Sequence, residues 1–377
     1  MASEPMRVVV APQEFKGSLT AVEAAIAIES GIRAVWSDAE VDSAPVADGG
    51  PGTVEAIVHA ANGRMSIARV DGPLGAPVDA RWGRIDAGRC AVIEMAAASG
   101  LTLLRPEQLD PRRASTHGAG QLIKHALDAN VERILIGVGG SATNDGGAGM
   151  AEALGAVLLD DDGHRLPPGG AALRNLASIE IDRLDPQLAE VEIQVLCDVQ
   201  NPLLGPEGAT TVYGPQKGAD PACVAQLDRA LTNFAAILER DLNANVADIP
   251  GAGAAGGLAA GLMAFGGATL QSGFAAVSDA VRLPERIAQA DLVITGEGRL
   301  DTQSAYGKTV AGVAQLAHAA NVPCLAVAGL IDGRADLPGL MDREASTPVG
   351  MPIEEAMSRT SELVPAAVER LLRRYSA

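Results

Sequence analysis

Several short stretches of this 377-residue chain combine glycine with groups that bind or move phosphate. The densest is 137–150, Gly-Val-Gly-Gly-Ser-Ala-Thr-Asn-Asp-Gly-Gly-Ala-Gly-Met. Where such a run opens a helix, bare backbone N–H groups can meet an anion. Glycine there permits positive φ and close ligand approach, although it weakens helices and strands. Gly139, Gly140, Ser141, Asn144 and Asp145 are therefore expected to hold ligand oxygens. Asn144 and Asp145 could also cap the helix or hold a divalent cation. A tight turn with an ordinary cap is the plainer reading of a lone glycine pair, and the density of this run argues against it. Lys16, followed by Gly17 and Ser18, offers a cation to phosphate or carboxylate. Asp48 with Gly49 and Gly50, Asp198, and Gly296 with Glu297 add carboxylates beside flexible backbone. Glycines and helix starts suit phosphate oxygens, carboxylates suit Mg²⁺, and lysine suits transferring negative charge. Phosphoryl transfer needs those parts and a carboxylate near the acceptor hydroxyl.

The elements that must position these groups can be read from hydrophobic pattern. Residues 131–136 form a short apolar run, expected to be a buried strand feeding 137–150, with a helix over 148–154. A strand at 7–11 leads into the Lys16 loop, and Ser18 is expected to cap a helix over 20–35. That helix would bury Val22, Ile26, Ile28, Ile32 and Val35. Strands at 40–47, 191–196 and 291–295 end at Asp48, just before Asp198, and at Gly296. Each candidate thus falls at the carboxyl end of a strand, where open α/β sheets bind ligands. Residues 65–70, 77–85 and 90–95 instead alternate, separated by Gly- and Pro-containing turns, and predict antiparallel hairpins. Residues 354–374 predict one amphipathic closing helix. The outer segments alternate strand and helix while the middle is mixed. We infer a discontinuous α/β domain from 1–63 and 287–377, with a mixed α+β domain inserted at 64–286.

Other motifs carry less. His117, before a helix, could be catalytic or could cap and orient. Asp160-Asp161-Asp162-Gly163 is acidic enough for a metal, but its setting is that of an exposed hairpin turn. Gly251-Ala-Gly-Ala-Ala-Gly256 matches GxGxxG, yet no strand precedes it, so a Gly-rich loop in a site or a close helix contact is expected. Gly307-Lys308-Thr309 is not a P-loop, because Thr302 stands where that motif needs glycine. A formal charge of −18 argues against nucleic acid as a partner. The uncharged stretch 249–278 is broken by glycines and polar residues, so we expect a loop and a buried helix, no membrane span, and a cytoplasmic protein. Four cysteines, far apart, are expected to be buried reduced thiols.

Along nearly its whole length the chain resembles the type I glycerate kinases. The resemblance rests on Phe15-Lys-Gly-Ser-Leu19, Ala47-Asp-Gly-Gly50, residues 137–150, and Cys197-Asp198 with Asn201-Pro202. It continues through Gly214-Pro-Gln-Lys-Gly218, 251–257, 290–299, Asp301, Gln303, Ser304 and Gly307-Lys308. It implies ATP-dependent phosphorylation of D-glycerate, usually to 2-phosphoglycerate, with Mg²⁺. It also implies a flavodoxin-like parallel-sheet domain made of both chain ends. Under it, Lys16 and Lys308 would neutralise phosphate or the glycerate carboxylate. Asp48 and Asp198 would act as base at the acceptor hydroxyl or hold Mg²⁺, and Glu297 and Asp301 would contact metal or ribose. Two departures stand out: Gln13-Glu14 where the family usually has Asp-Ser, and Pro51 where it usually has Glu. They leave open a kinase for a related small hydroxy acid, or a non-catalytic sugar-acid sensor on the same fold.

Overall fold

The computed structural model describes residues 5–300, 309–332 and 337–376. The first strands are β1 (Arg7–Pro12), β2 (Glu40–Ser43), β3 (Arg64–Asp71), β4 (Pro77–Ile85) and β5 (Cys90–Glu94). Next come β6 (Arg133–Gly137), β7 (Val157–Leu159), β8 (Ser178–Glu180), β9 (Glu192–Leu196) and β10 (Thr269–Gln271). The last are β11 (Leu292–Leu300), β12 (Cys324–Ile331) and β13 (Asp342–Ala345). One sheet has the order β13-β12-β11-β1-β2, another β10-β9-β6-β5-β4-β3, and β7-β8 pair alone. The chain is α/β and divides into two compact units. One holds Met1–Asp48, Glu55–Asn62 and Phe274–Ala377; the other holds Gly49–Val54 and Gly63–Gly273.

In the first unit all strands run parallel, with Val8 opposite Leu292 and Pro12 opposite Gly296. Both faces are covered, which is why these strands read as apolar runs. Val8, Val10, Leu292, Ile294, Leu325 and Val327 meet Ile28 and Ile32 of the helix Ala21–Val35 and Val364, Val368 and Leu371 of the helix Thr360–Tyr375. Ala326 and Ala328 pack with Val310 and Ala311 of the helix Thr309–Ala319. Gly31 sits where the two outer helices cross, since a Cβ there would lie 2.6 Å from the Pro365 carbonyl.

Some local expectations need correction. Ser18 does not cap the first helix; Thr20 does, in a reciprocal box with Glu23. The box requires its hydroxyl three residues before the glutamate, and only Thr20 satisfies that. Ser18 Oγ instead donates to the Phe15 carbonyl at 2.8 Å. Ile26 is 60% exposed, because Ala24, Ala25, Ile28 and Ile32 already form the buried stripe. The closing segment is two helices, Ile353–Ser358 and Thr360–Tyr375, broken at Arg359. There the Thr360 hydroxyl donates to the carbonyls of Ala356 and Met357, both at 3.0 Å, at the end of the shorter helix.

The second unit carries the mixed sheet. β3, β4 and β5 form the expected hairpins, from Arg64↔Arg84 to Asp71↔Pro77 and from Trp82↔Ile93 to Ile85↔Cys90. Beyond β5 the pairing turns parallel through β6, β9 and β10. Leu122 and Ile123 of the helix His117–Asp128, and Leu258 and Leu262 of the helix Ala254–Gly266, share a core with Ile93, Ile134, Ile136, Ile193 and Val195. A second core joins Leu231, Phe234 and Leu238 of the helix Pro221–Leu242 to Leu158, Leu173 and Ile179. The Asp160 turn is exposed as expected, its Oδ1 accepting from the backbone of Asp162 and His164. All four cysteines are buried and free. Among the described residues no helix is long and apolar enough to cross a membrane.

Candidate active site

In the first unit the strand order reverses at β1 and β11, with β2 to one side and β12 and β13 to the other. Loops leaving such a pair diverge and make room for a ligand. Here the loop after β1 is tied to the end of β11: Gln13 N donates to Gly296 O at 2.8 Å. A Cβ on Gly298 would lie 3.1 Å from Lys16 N, a tight contact that glycine avoids. The loop closes through Phe15 N to Leu19 O (2.9 Å) and Leu19 N to Phe15 O (3.0 Å), with Gly17 at φ +78°. Phe15 is buried beneath it, and Lys16 and Gly17 are held at the surface. Asp48 is exposed and accepts from Gln13 Nε2 through Oδ2 at 3.1 Å. Glu14 is half-buried; burial raises its carboxyl above the usual range, Lys16 lowers it, and Asp48 raises it further. Lys16, Asp48, Gln13 and Glu14 therefore form one polar cluster on the first unit. Glu297 lies on β11 opposite Ala328.

In the second unit, much of the glycine in 137–150 serves close packing. A Cβ on Gly137 would lie 2.5 Å from Gly49 O, and one on Gly139 2.8 Å from Gly50 Cα. Gly139 N donates to Gly49 O at 3.3 Å, so the two glycine runs lie backbone on backbone. Pro51 stands over Gly140, its Cγ 3.3 Å from where a Cβ would be. The GxGxxG segment packs from another side: a Cβ on Gly256 would lie 2.1 Å from Thr143 O, and Gly146 N donates to Gly256 O at 3.0 Å. That bears out the expected close helix contact.

The polar side chains of this loop turn largely inward. Asp145 is wholly buried and accepts from Thr116 N (2.8 Å), Thr116 Oγ1 (2.9 Å), Gly147 N (3.2 Å) and Gly149 N (3.3 Å). Burial raises its carboxyl, and these donors work against that rise. Thr116 Oγ1 also accepts from Met150 N at 2.9 Å. Asn144, equally buried, donates through Nδ2 to Thr210 Oγ1 at 2.9 Å, while its Oδ1 has no hydrogen-bond partner among the described residues. Ser141 Oγ accepts from Lys217 Nζ at 2.9 Å, and Lys217 also donates to Thr143 O at 2.6 Å. Lys217 is buried; desolvation lowers its ammonium to about 7, with the Asp145 carboxylate working the other way.

Asp198 follows β9 and is exposed. Its Oδ1 accepts from Ser272 Oγ and Gly273 N, each at 2.9 Å. The carboxylate is thus solvent-facing and fixed in orientation. His117 opens its helix and holds Asp71, Nδ1 to Oδ2 at 2.9 Å.

Comparison with known proteins now decides the family. The sequence model of the glycerate kinase family matches residues 8–376. The chain belongs to the glycerate kinase family. It is a kinase by that membership. It is 47% identical to a glycerate kinase of Halalkalibacterium halodurans over 367 residues, covering 97% of each chain. It is 50% identical to the glycerate 2-kinase of Escherichia coli K12 over 324 residues, covering 86% of this chain and 85% of that one. The crystal structure of a candidate glycerate kinase 2 from Salmonella typhimurium LT2 superposes with a TM-score of 0.90 at 48% identity, covering 99% of each chain.

Against that family, the structure groups Lys16, Gly17, Ser18, Asp48, Gly296 and Glu297 on the first unit, and Gly49, Gly50, Gly139, Gly140 and Ser141 on the second. Asp301 and Lys308 lie outside the described residues. Sequence reasoning assigned no role to Lys217 or Thr116. The signal for Lys217 was available: a lysine between two glycines, in Gly214-Pro-Gln-Lys-Gly218. Thr116 carried none, because its importance comes from a carboxylate 29 positions away.

Proposed function

We propose that this kinase transfers the γ-phosphoryl group of ATP to the 2-hydroxyl of D-glycerate, giving 2-phosphoglycerate and ADP. The names of its relatives support the acceptor, and the Escherichia coli name supports the hydroxyl. The observation that carries the reading is the anchored, exposed carboxylate of Asp198. A general base must be held within hydrogen-bond reach of the proton it takes. One oxygen of Asp198 is tied down, so the group's direction is set before substrate arrives.

The remaining roles follow from chemistry. Lys16, Gly17 and Ser18 at the β1–β11 edge suit phosphate oxygens, as do the backbone groups of Gly139 and Gly140. The strand order β2-β1-β11-β12-β13 supports the flavodoxin-like reading of the first unit. Exposed carboxylates are the ligand set that suits Mg²⁺, and Asp48 on the first unit and, separately, Asp198 on the second are each candidates; a bound ion would neutralise phosphate charge. Glu297 and Asp301 are further candidates for that set. We assign Asp145 and Asn144 to shaping the loop, given their burial. Four free buried thiols fit a reducing cytoplasm.

The test is a coupled ADP-release assay against D-glycerate and a panel of small hydroxy acids, with NMR of the product. ADP release with D-glycerate and a 2-phosphorylated product is the expected result. A second reading, a related hydroxy acid as acceptor, is favoured by the Gln13–Asp48 bond, because a departure residue holds a proposed site carboxylate. Faster turnover of another acid in the panel would establish it.

A further inference from the structure

The second unit contains a cavity of about 900 Å³ that none of the roles above uses. Its walls come from the Asp71–Gly75 turn, the segment before the helix His117–Asp128, and residues 165–175. Arg112, Arg113, Arg165 and Arg174 all line it, although the chain as a whole carries −18. Only two carboxylates, Asp71 and Glu152, line it beside them. The four guanidiniums against these two leave a formal +2 even if both acids are ionised.

The acids and the arginines are not matched to each other. Asp71 is engaged by His117 Nδ1 at 2.9 Å and by Gln121 Nε2 at 3.2 Å. Glu152 is half-buried, and that burial with Asp145 nearby raises its carboxyl to about 7 against the opposing pull of Arg165. Arg112 is held by Gln226 Oε1 at 3.0 Å and lies 3.6 Å from Asp220 Oδ1. Arg113 and Arg174 are exposed and make no salt bridge with any described residue. Guanidiniums left without carboxylates in one concavity create a positive potential that recruits an anion. Part of the remaining wall is apolar, formed by Leu74, Pro167, Pro168 and Ala171, beside the polar Ser115, His117, Asn175 and Gln226. The apolar part has nothing to offer a bare inorganic ion, but it can bury the carbon part of an organic one.

We infer that this cavity is a second ligand site, for a phosphate monoester of a small organic molecule. Arg113, Arg165 and Arg174 take the phosphate and the Leu74–Pro167–Pro168 wall takes the organic part. The cavity is argued from its own residues and stands whether or not D-glycerate is the acceptor.

The experiment is calorimetric titration of the full chain with phenyl phosphate and, separately, with inorganic phosphate. Phenyl phosphate should bind at least about tenfold more tightly, through the apolar wall. The combined Arg113→Gln and Arg174→Gln variant should lose at least about tenfold in that affinity. Its melting temperature should stay unchanged, and its kcat and KM without phenyl phosphate should stay within about twofold, since both side chains are surface groups. The single Arg165→Gln variant supplies an independent loss. No binding by the native chain, equal affinity for the two probes, or undiminished binding by the variants overturns the assignment. So does phenyl phosphate binding that disappears when ADP is saturating, because that would put the anion in the kinase site.

Discussion

Lys217 Nζ stands 2.9 Å from Ser141 Oγ and 2.6 Å from the Thr143 carbonyl, tying the helix-start segment 214–218 to the middle of the glycine loop. A buried ammonium is costly, and the acceptors that hold this one, the Ser141 hydroxyl and the Thr143 carbonyl, are neutral. Its folded-state pKa, about 7, lies below the ordinary lysine value of 10.5. The unfolded chain therefore binds more protons between those limits, and stability rises with pH across the window. It is lost again as pH falls toward 7. Replacing Lys217 with Met should flatten that rise by at least about 1 kcal/mol. Urea unfolding at several pH values between 7 and 10 measures it; an unchanged slope would sink the assignment.

Asp198→Asn removes the proposed base while keeping the shape of the side chain. We expect kcat to fall at least about a hundredfold with ATP binding retained. Ser272→Ala should be milder, about three- to tenfold in kcat, because Gly273 N still holds Oδ1. Steady-state kinetics with direct nucleotide titration reads both, and near-normal turnover of Asp198→Asn refutes the role.

Gln13 Nε2 donates to Asp48 Oδ2 at 3.1 Å. Gln13→Ala should remove that hydrogen bond and raise KM for the acid severalfold, with kcat changed less than about threefold. A fall confined to kcat would instead assign Gln13 to the chemical step.

Asp145 accepts four hydrogen bonds with no exposure to water. Asp145→Ala leaves buried donors of Thr116, Gly147 and Gly149 without an acceptor and should cost about 3–5 kcal/mol. Thr116→Val, which keeps the backbone bond, should cost about 1–3 kcal/mol. Chemical denaturation separates the two, and a near-neutral Asp145→Ala would contradict the structural role.

Glu152 has a carboxyl raised to about 7 from 4.5. The folded chain then holds more protons than the unfolded chain between those values. Stability from this group is full below 4.5 and is lost as pH rises through 7. Glu152→Gln should remove that loss, so the variant gains on the native chain as pH goes from 5 to 8. A thermal-melting series across that range tests the sign.

The residues alone determined a good deal here. Strand-loop-helix rhythm, the β3–β5 hairpins, the exposed Asp160 turn and buried thiols follow from local pattern, since alternation, apolar runs and turn residues act over a few positions. Ordered motifs along the chain brought the family within reach. Local pattern misled where neighbours competed: Thr20 outbid Ser18 for the cap because Glu23 completes its box. Only the tertiary structure decided which face each polar side chain takes. Asn144 and Asp145 look like ligand groups in the chain, yet Thr210 and Thr116, far off in sequence, draw them inside. The glycines of 137–150 are explained in part by the backbone of Gly49 and Gly50, a contact spanning some ninety positions. Lys217 likewise gains its meaning from Ser141 and Thr143, 76 and 74 positions away. Burial and hydrogen bonding are set by chain segments that meet only on folding, so no reading of spacing could assign those side chains.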